Sequence, residues 1–194
     1  MGRGLYAYSV DLGLLAKLPK PGSPELAALA RRAKQRFAEL DEELADEIAS
    51  GESESAAAIF AKIAAGKLAP DDDDHGYVIE ALCATLGKKL PNPVWERFSV
   101  SFFSDLDDEL TARGLKGKNE IVEIVQSGIP IGKKRLHAPE CGSMTPAQAA
   151  NVSAQIDAMD LSKLDADQKK GAKEWSSWMK AAAKRGESLV IFGY

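Results

Sequence analysis

The sequence lacks the features that anchor a chain in a membrane or hold a small secreted domain together. Its 194 residues include two cysteines, Cys83 and Cys141, with no Cys-x-x-Cys pair and no histidine at metal-ligand spacing. No segment approaches the roughly 18 uninterrupted apolar residues of a membrane span. Asp11 also comes too early for the apolar run of a signal peptide. We therefore expect two free thiols and a cytoplasmic protein that does not associate with membranes.

Catalytic and cofactor signatures are missing as well. No serine or cysteine nucleophile in a defined turn accompanies either histidine, His75 or His137. The pair Gly2-x-Gly4 is too short for a dinucleotide fingerprint and opens a predicted strand instead of following one. The run Asp71–Asp74 lacks the spacing of an EF-hand calcium loop. The sequence therefore predicts no metal and no cofactor, and it favours a role other than catalysis.

What the sequence does have is an uneven distribution of charge. The formal net charge is −4, yet residues 38–80 contain thirteen acidic side chains against two lysines. Residues 1–37 are basic in balance. An acidic segment does not suit nucleic acid, because phosphate binding needs Lys and Arg, but it suits a cationic partner. A solvated acidic helix face would have the same composition, so this alternative stays open.

Hydrophobic periodicity predicts a mainly helical chain. Ser23 and Pro24 have the residue types of an N-cap and a first helical position. Apolar residues then recur every three or four positions, which predicts one helix from 24 to about 50. Thr145, Pro146 and Gln148 predict a second well-capped start. Further helices are predicted over 12–18, 53–66, 75–86, 102–113 and 167–184, with a short apolar element at 121–128.

The two ends of the chain are predicted to be strands. Leu5–Val10 alternates in character, and residues 188–193 are rich in β-branched and aromatic types. Because an isolated strand leaves its backbone groups unpaired, the two should pair with each other, with 129–131 as a third strand. The expected fold is α+β, mainly α, with a helical layer on this small sheet. We expect one domain over 1–194, with a charged helical elaboration at about 24–66.

Several short motifs resemble a known family. They are His75-Gly76-Tyr77 with Leu82-Cys83 and Leu86-Gly87 after an aspartate-rich turn, the loop Gly128-Ile129-Pro130, the helix start Thr145-Pro146, and a closing tryptophan-rich helix before an apolar strand. In this combination the chain resembles the YfbM-like family of bacterial proteins and related uncharacterised bacterial domains. The resemblance implies an α+β fold, no established activity, and an accessory or immunity-type role in toxin systems. The charged helix at 24–50 departs from the family pattern.

The acidic positions form the first candidate site, a surface for a protein partner. Its residues are Glu39, Glu42, Glu43, Asp46, Glu47, Asp71, Asp72, Asp73 and Asp74. Complementary charge speeds association with a basic partner. Together with the resemblance, this predicts a non-enzymatic binding protein, a bacterial immunity protein or antitoxin that inhibits a cognate toxin.

Two alternatives belong to other classes. An enzyme or small-ligand protein would use His75 with Tyr77 or Glu80, since a neighbouring carboxylate can orient a histidine as a general base. This alternative requires a concave pocket that contains those side chains, and it competes with a capping or packing role for His75. A nucleic-acid-associated protein would use the basic positions at 31–36 and would bind in a salt-dependent manner. Those positions are Arg31, Arg32, Lys34 and Arg36.

Overall fold

Helices and strands fill most of the chain in the computed structural model, which describes residues 4–18, 20–95, 100–117 and 119–194. Gly2 of the glycine pair lies outside the described residues. The elements in chain order are β1 Leu5–Val10, α1 Leu12–Ala16, α2 Pro24–Glu43, α3 Ala45–Ser50, α4 Ala56–Ala64, α5 Asp73–Leu86, β2 Lys88–Lys89, α6 Val100–Ala112, α7 Ile121–Val125, β3 Ile129–Ile131, β4 Lys134–Leu136, β5 Cys141–Met144, α8 Pro146–Asp157, α9 Ala166–Arg185 and β6 Ser188–Gly193.

A four-stranded antiparallel sheet in the order β2-β1-β6-β5 forms the centre of the fold. The two ends of the chain pair over their whole length, from Leu5 opposite Gly193 to Val10 opposite Ser188. The predicted pairing of the terminal strands is thus confirmed. Because β6 also pairs with β5, it lies between two strands, and all of its residues are buried.

Residues 129–131 form the predicted strand, but its predicted place in the sheet of the terminal strands is wrong. Ile129–Ile131 pairs with β4 in a separate two-stranded sheet, and β5 occupies the expected place in the main sheet. The segment Cys141–Met144 contains no β-branched residue, so its composition does not indicate a strand. Its small residues allow close approach to α7: a Cβ on Gly142 would overlap the carbonyl oxygen of Ile124.

The sheet has an apolar layer on each face. Leu5, Ala7, Leu189 and Ile191 belong to the layer built on α6, α7, α8 and α9. Tyr8, Val10, Val190 and Phe192 belong to the layer built on α1, α2, α4 and α5. Successive strand residues point to opposite faces, which explains this division. The structure confirms an α+β, mainly α fold and adds a second helical layer to the one that was predicted.

The charged segment at about 24–66 packs into the second of these layers. Leu29, Ala33 and Phe37 form the buried stripe of α2, which packs against α5. The ring of Phe37 lies 5.5 Å from that of Phe60 on α4. The helix predicted to reach residue 50 breaks at Leu44, and α3 follows as a separate short helix. Among the described residues, no helix is both long enough and apolar enough to cross a membrane.

The close approach at Gly142 yields a stability prediction. We expect Gly142→Ala to lower the free energy of unfolding by about 3 kcal/mol, since the new methyl group displaces Ile124 or separates β5 from β6. Urea denaturation measures the change. Gly193→Ala is the matched control, because a Cβ there meets its nearest neighbours, Glu140 and Leu5, at an ordinary 3.4 Å. Equal stability of the two variants would contradict the close packing of β5.

Candidate functional site

A cavity of about 550 Å³ opens between β1, α2 and α5. Its volume is within the range of small-ligand sites, which is roughly 300–1,000 Å³. We call it the tyrosine cavity, because all four tyrosines of the chain line it. The lining residues are Tyr6, Tyr8, Arg36, Glu39, Leu40, Glu43, Leu44, Tyr77, Glu80, Ala81, Ala84, Lys89 and Tyr194.

Regular spacing on three elements places these side chains together. Tyr6 and Tyr8 are two residues apart on β1 and therefore point to the same face of the sheet. On each of the two helices the lining residues follow the spacing i, i+3, i+4 and i+7, which puts them on one side of the helix. On α5 they are Tyr77, Glu80, Ala81 and Ala84, and on α2 they are Arg36, Glu39, Leu40 and Glu43.

Glu80 is the polar centre of the cavity. Its carboxylate accepts a hydrogen bond from the hydroxyl of Tyr8 at 2.6 Å and another from the hydroxyl of Tyr194. Burial and the negative charge of Glu80 both raise the pKa of these two phenols above the ordinary value. The two hydroxyls therefore stay protonated at neutral pH and donate to the same carboxylate.

Three tyrosine rings surround the polar centre with aromatic faces and edges. The rings of Tyr77 and Tyr194 are stacked, with centroids 5.8 Å apart and planes inclined by 22°. Tyr6 meets Tyr194 edge-on, also at 5.8 Å. The ammonium nitrogen of Lys89 lies 4.4 Å from the centroid of the Tyr6 ring, in cation–π contact. The cavity thus already holds a cation against one aromatic face.

Two predicted acidic residues, Glu39 and Glu43, form part of the rim. Arg36 donates to Glu39 at 2.9 Å, and Gln35 donates to its other oxygen at 3.0 Å. The hydrogen bond from Arg36 lowers the pKa of the Glu39 carboxyl. Glu43 is exposed and forms no ion pair within the described part of the chain. The cavity lining therefore carries three carboxylates against two cations.

The remaining acidic candidates lie on the same helical layer. Glu42, Asp46 and Glu47 are exposed on α2 and α3. In the second acidic run, Asp71 and Asp73 are also exposed.

Capping explains part of the second acidic run. The carboxylate of Asp72 accepts hydrogen bonds from the backbone N–H groups of Asp74 and His75, at 3.0 and 3.4 Å. Asp72 is therefore the N-cap of α5, which begins two residues before the predicted start at 75. The hydroxyl of Ser53 donates to Asp74 at 2.5 Å, which joins the loop after α3 to the start of α5.

The loop after α3 and the start of α5 bring acidic side chains together at a small recess of about 140 Å³. Glu52 and Glu54 line it from the loop after α3, and Asp72 and Asp74 line it from α5. The positive charge of the recess is Lys62, which pairs with Glu54. Acids separated by about twenty positions in sequence thus share one surface.

His75 is not part of the tyrosine cavity. Its side chain is 6% exposed, and its Nδ1 accepts a hydrogen bond from the backbone N–H of Ala69 at 3.3 Å. Burial lowers the pKa of His75, which favours the neutral imidazole that such a bond needs. Tyr77 and Glu80 line the cavity, so the pocket that the enzyme alternative requires lacks its histidine. Among the described residues, no group of three His, Cys, Asp or Glu side chains is placed to hold a metal ion.

The basic positions at 31–36 lie along α2, next to the acidic surface. Two of them have protein partners: Arg32 donates to the carbonyl of Thr85 at 3.4 Å, and Arg36 pairs with Glu39. Arg31 and Lys34 are exposed on the same helix, and the nucleic-acid alternative stays a prediction.

The Glu80 network yields a prediction of pH dependence. Above pH about 10 the tyrosines of the unfolded chain ionise, while Tyr8 and Tyr194 remain protonated in the folded protein. The unfolded state therefore binds fewer protons, and we expect the free energy of unfolding to fall as the pH rises. Urea denaturation between pH about 9 and about 11 measures the slope, and phenolate absorbance follows the ionisation.

In Glu80→Gln the negative charge is lost, so Tyr8 and Tyr194 should ionise at lower pH and the slope should be shallower. Glu123→Gln, an exposed position on α7, is the control and should behave as the wild type. If both phenols of the folded wild type ionised like free tyrosine, the burial and charge of this network would be contradicted.

Comparison with known proteins places the chain in a family. Over residues 1–194 it matches the family described as a domain of unknown function (DUF7691). Searches of curated proteins and of solved structures returned no significant match. The resemblance to the YfbM-like family rests on short motifs and stays a prediction. Because the family match covers the whole chain, the protein belongs to the DUF7691 family.

Proposed function

We propose that the protein is a non-enzymatic binding protein, and specifically a bacterial immunity protein or antitoxin that inhibits a cognate toxin in the cytoplasm. The observation that carries the proposal is that the acidic residues of 39–54 and those of 71–74 lie on one helical layer. The exposed acids of α2 and α3 are followed in sequence by Glu52 and Glu54, which line one recess together with Asp72 and Asp74. A basic toxin offers the complementary charge.

The balance of ion pairs supports a surface that attracts cations. Arg36 compensates Glu39, and Lys62 compensates Glu54. Glu42, Asp46 and Glu47 form no ion pair within the described residues. Uncompensated charges that lie within a Debye length of about 8 Å at physiological salt add to one field. Such a field raises the rate of encounter with an oppositely charged protein.

The proposal predicts binding to, and neutralisation of, a toxin encoded beside the gene of this protein. Co-expression with each neighbouring reading frame tests neutralisation as recovery of growth, and titration with the purified product measures affinity. We expect neutralisation by the wild type and weaker binding as salt concentration rises, because the encounter is electrostatic. If no neighbouring product is bound or neutralised, the proposed function is wrong.

A charge-neutralised variant locates the binding surface. We expect Glu42→Gln with Asp46→Asn and Glu47→Gln to slow association about tenfold, with a smaller effect on dissociation, because these charges act mainly on the encounter. The matched control is Asp105→Asn with Asp108→Asn and Glu123→Gln. It removes the same number of charges from α6 and α7, on the opposite face of the sheet, and should bind like the wild type.

A further inference from the structure

The tyrosine cavity offers the chemical features that bind an organic cation. The face of an aromatic ring carries negative charge density, and a cation above it is stabilised by about 0.5–2 kcal/mol. Tyr6, Tyr77 and Tyr194 provide such rings around one space, and Lys89 already lies 4.4 Å from the centre of the Tyr6 ring. The aromatic walls therefore accept positive charge in the protein itself.

The charges of the cavity favour a cation over an anion. Two of the tyrosine hydroxyls that could serve an anion, those of Tyr8 and Tyr194, already donate to Glu80. Arg36 is held by Glu39, and Lys89 lies on Tyr6. An entering anion would meet Glu80 and the rim carboxylate of Glu43, whereas an entering cation is attracted by both.

The same hydrogen bonds favour an ammonium group over a guanidinium group. Arginine binds most strongly where a carboxylate presents both oxygens for two parallel hydrogen bonds. In Glu80 one oxygen takes the hydroxyl of Tyr8 and the other takes that of Tyr194. An ammonium group is a compact charge that needs no such fork, and its alkyl stem can pack along Leu40, Ala81 and Ala84 on the cavity wall.

We propose that the tyrosine cavity binds a primary alkylammonium group, presented as a lysine side chain of the cationic protein partner. This inference rests on the proposed function, because it assigns a specific contact to the partner that the acidic surface attracts. Glu43 belongs to both regions: it lies on the rim of the cavity and in the acidic run of α2. Glu43 therefore places the mouth of the cavity next to the acidic positions that would attract the partner.

Selective isotope labelling tests the cavity directly. Because all four tyrosines line it, every ring resonance of a protein labelled at tyrosine comes from the wall of the cavity. The probes are n-butylammonium, n-butanol and n-butyrate at constant ionic strength. We expect saturable shifts of the tyrosine resonances with butylammonium at millimolar concentration and none with the neutral and anionic probes. Equal shifts with butanol or butyrate would overturn the inference.

Variants at Tyr77 separate the aromatic face from the hydroxyl. Tyr77→Phe keeps the ring and should bind butylammonium like the wild type. Tyr77→Leu keeps an apolar side chain of similar reach but removes the ring, and affinity should fall about tenfold. Tyr77 is partly exposed, so both variants are expected to fold, which thermal denaturation checks. An unchanged affinity in a folded Tyr77→Leu protein would overturn the role of the ring.

A capped lysine decides the source of the ammonium group. We expect Nα-acetyl-lysine methylamide to bind at least as tightly as butylammonium. If the cavity bound butylammonium but not the capped lysine, its ligand would be a free amine, and the proposal of a lysine side chain from a protein would be overturned.

The variant Glu42→Gln with Asp46→Asn and Glu47→Gln leaves the cavity lining intact, so it should retain butylammonium binding. Its slower association with the partner therefore tests the proposed function, and the weaker butylammonium binding of Tyr77→Leu tests this inference, independently of each other.

Discussion

The pairing of the first strand with the last is the constraint on which the rest of the structure depends. β6 lies between β1 and β5, so its backbone groups are satisfied only when β1, at the other end of the chain, and β5 are both in place. Successive residues of these strands point to opposite faces of the sheet, and both sets are apolar. Helices must therefore cover both faces. The fold is therefore closed by contacts of very long sequence separation.

The same pairing creates the tyrosine cavity. Leu5 lies opposite Gly193, so the register places Tyr194 beside the start of β1, and its N–H donates to the carbonyl of Gly4 at 3.0 Å. Glu80 then faces Tyr8 and Tyr194 together from α5. A partly buried carboxylate requires hydrogen-bond donors, since an unsatisfied buried charge costs several kcal/mol. The two hydroxyls meet this need, and they fix two rings of the cavity.

Local sequence signals predicted most helices and the terminal strands, but they could not predict contacts between distant parts of the chain. Thr145 and Gln148 form the predicted capping box, and Ser23 caps α2 as its type indicates. β5 was missed because Gly142 and its neighbours have no strand propensity; only the crowding against Ile124 and the ladder to β6 explain it. The predicted pairing of the terminal strands gives one indication of the tyrosine cavity, since it brings Tyr194 towards Tyr6. The sequence prediction pairs Glu80 with His75 instead, because the contact of Glu80 with Tyr194 depends on how α5 crosses the sheet.

The acidic surface and the tyrosine cavity act on a positive charge at different distances. In the proposed function, unpaired carboxylates on α2 and α3 attract a cationic protein over a Debye length, and this attraction does not depend on the type of cation. Aromatic rings act only in contact, and they distinguish a cation from a neutral group of the same shape. Glu43 lies where the two regions join. A long-range field without a contact site would bind every basic protein weakly, so the cavity is the part of this layer that can make the attraction specific.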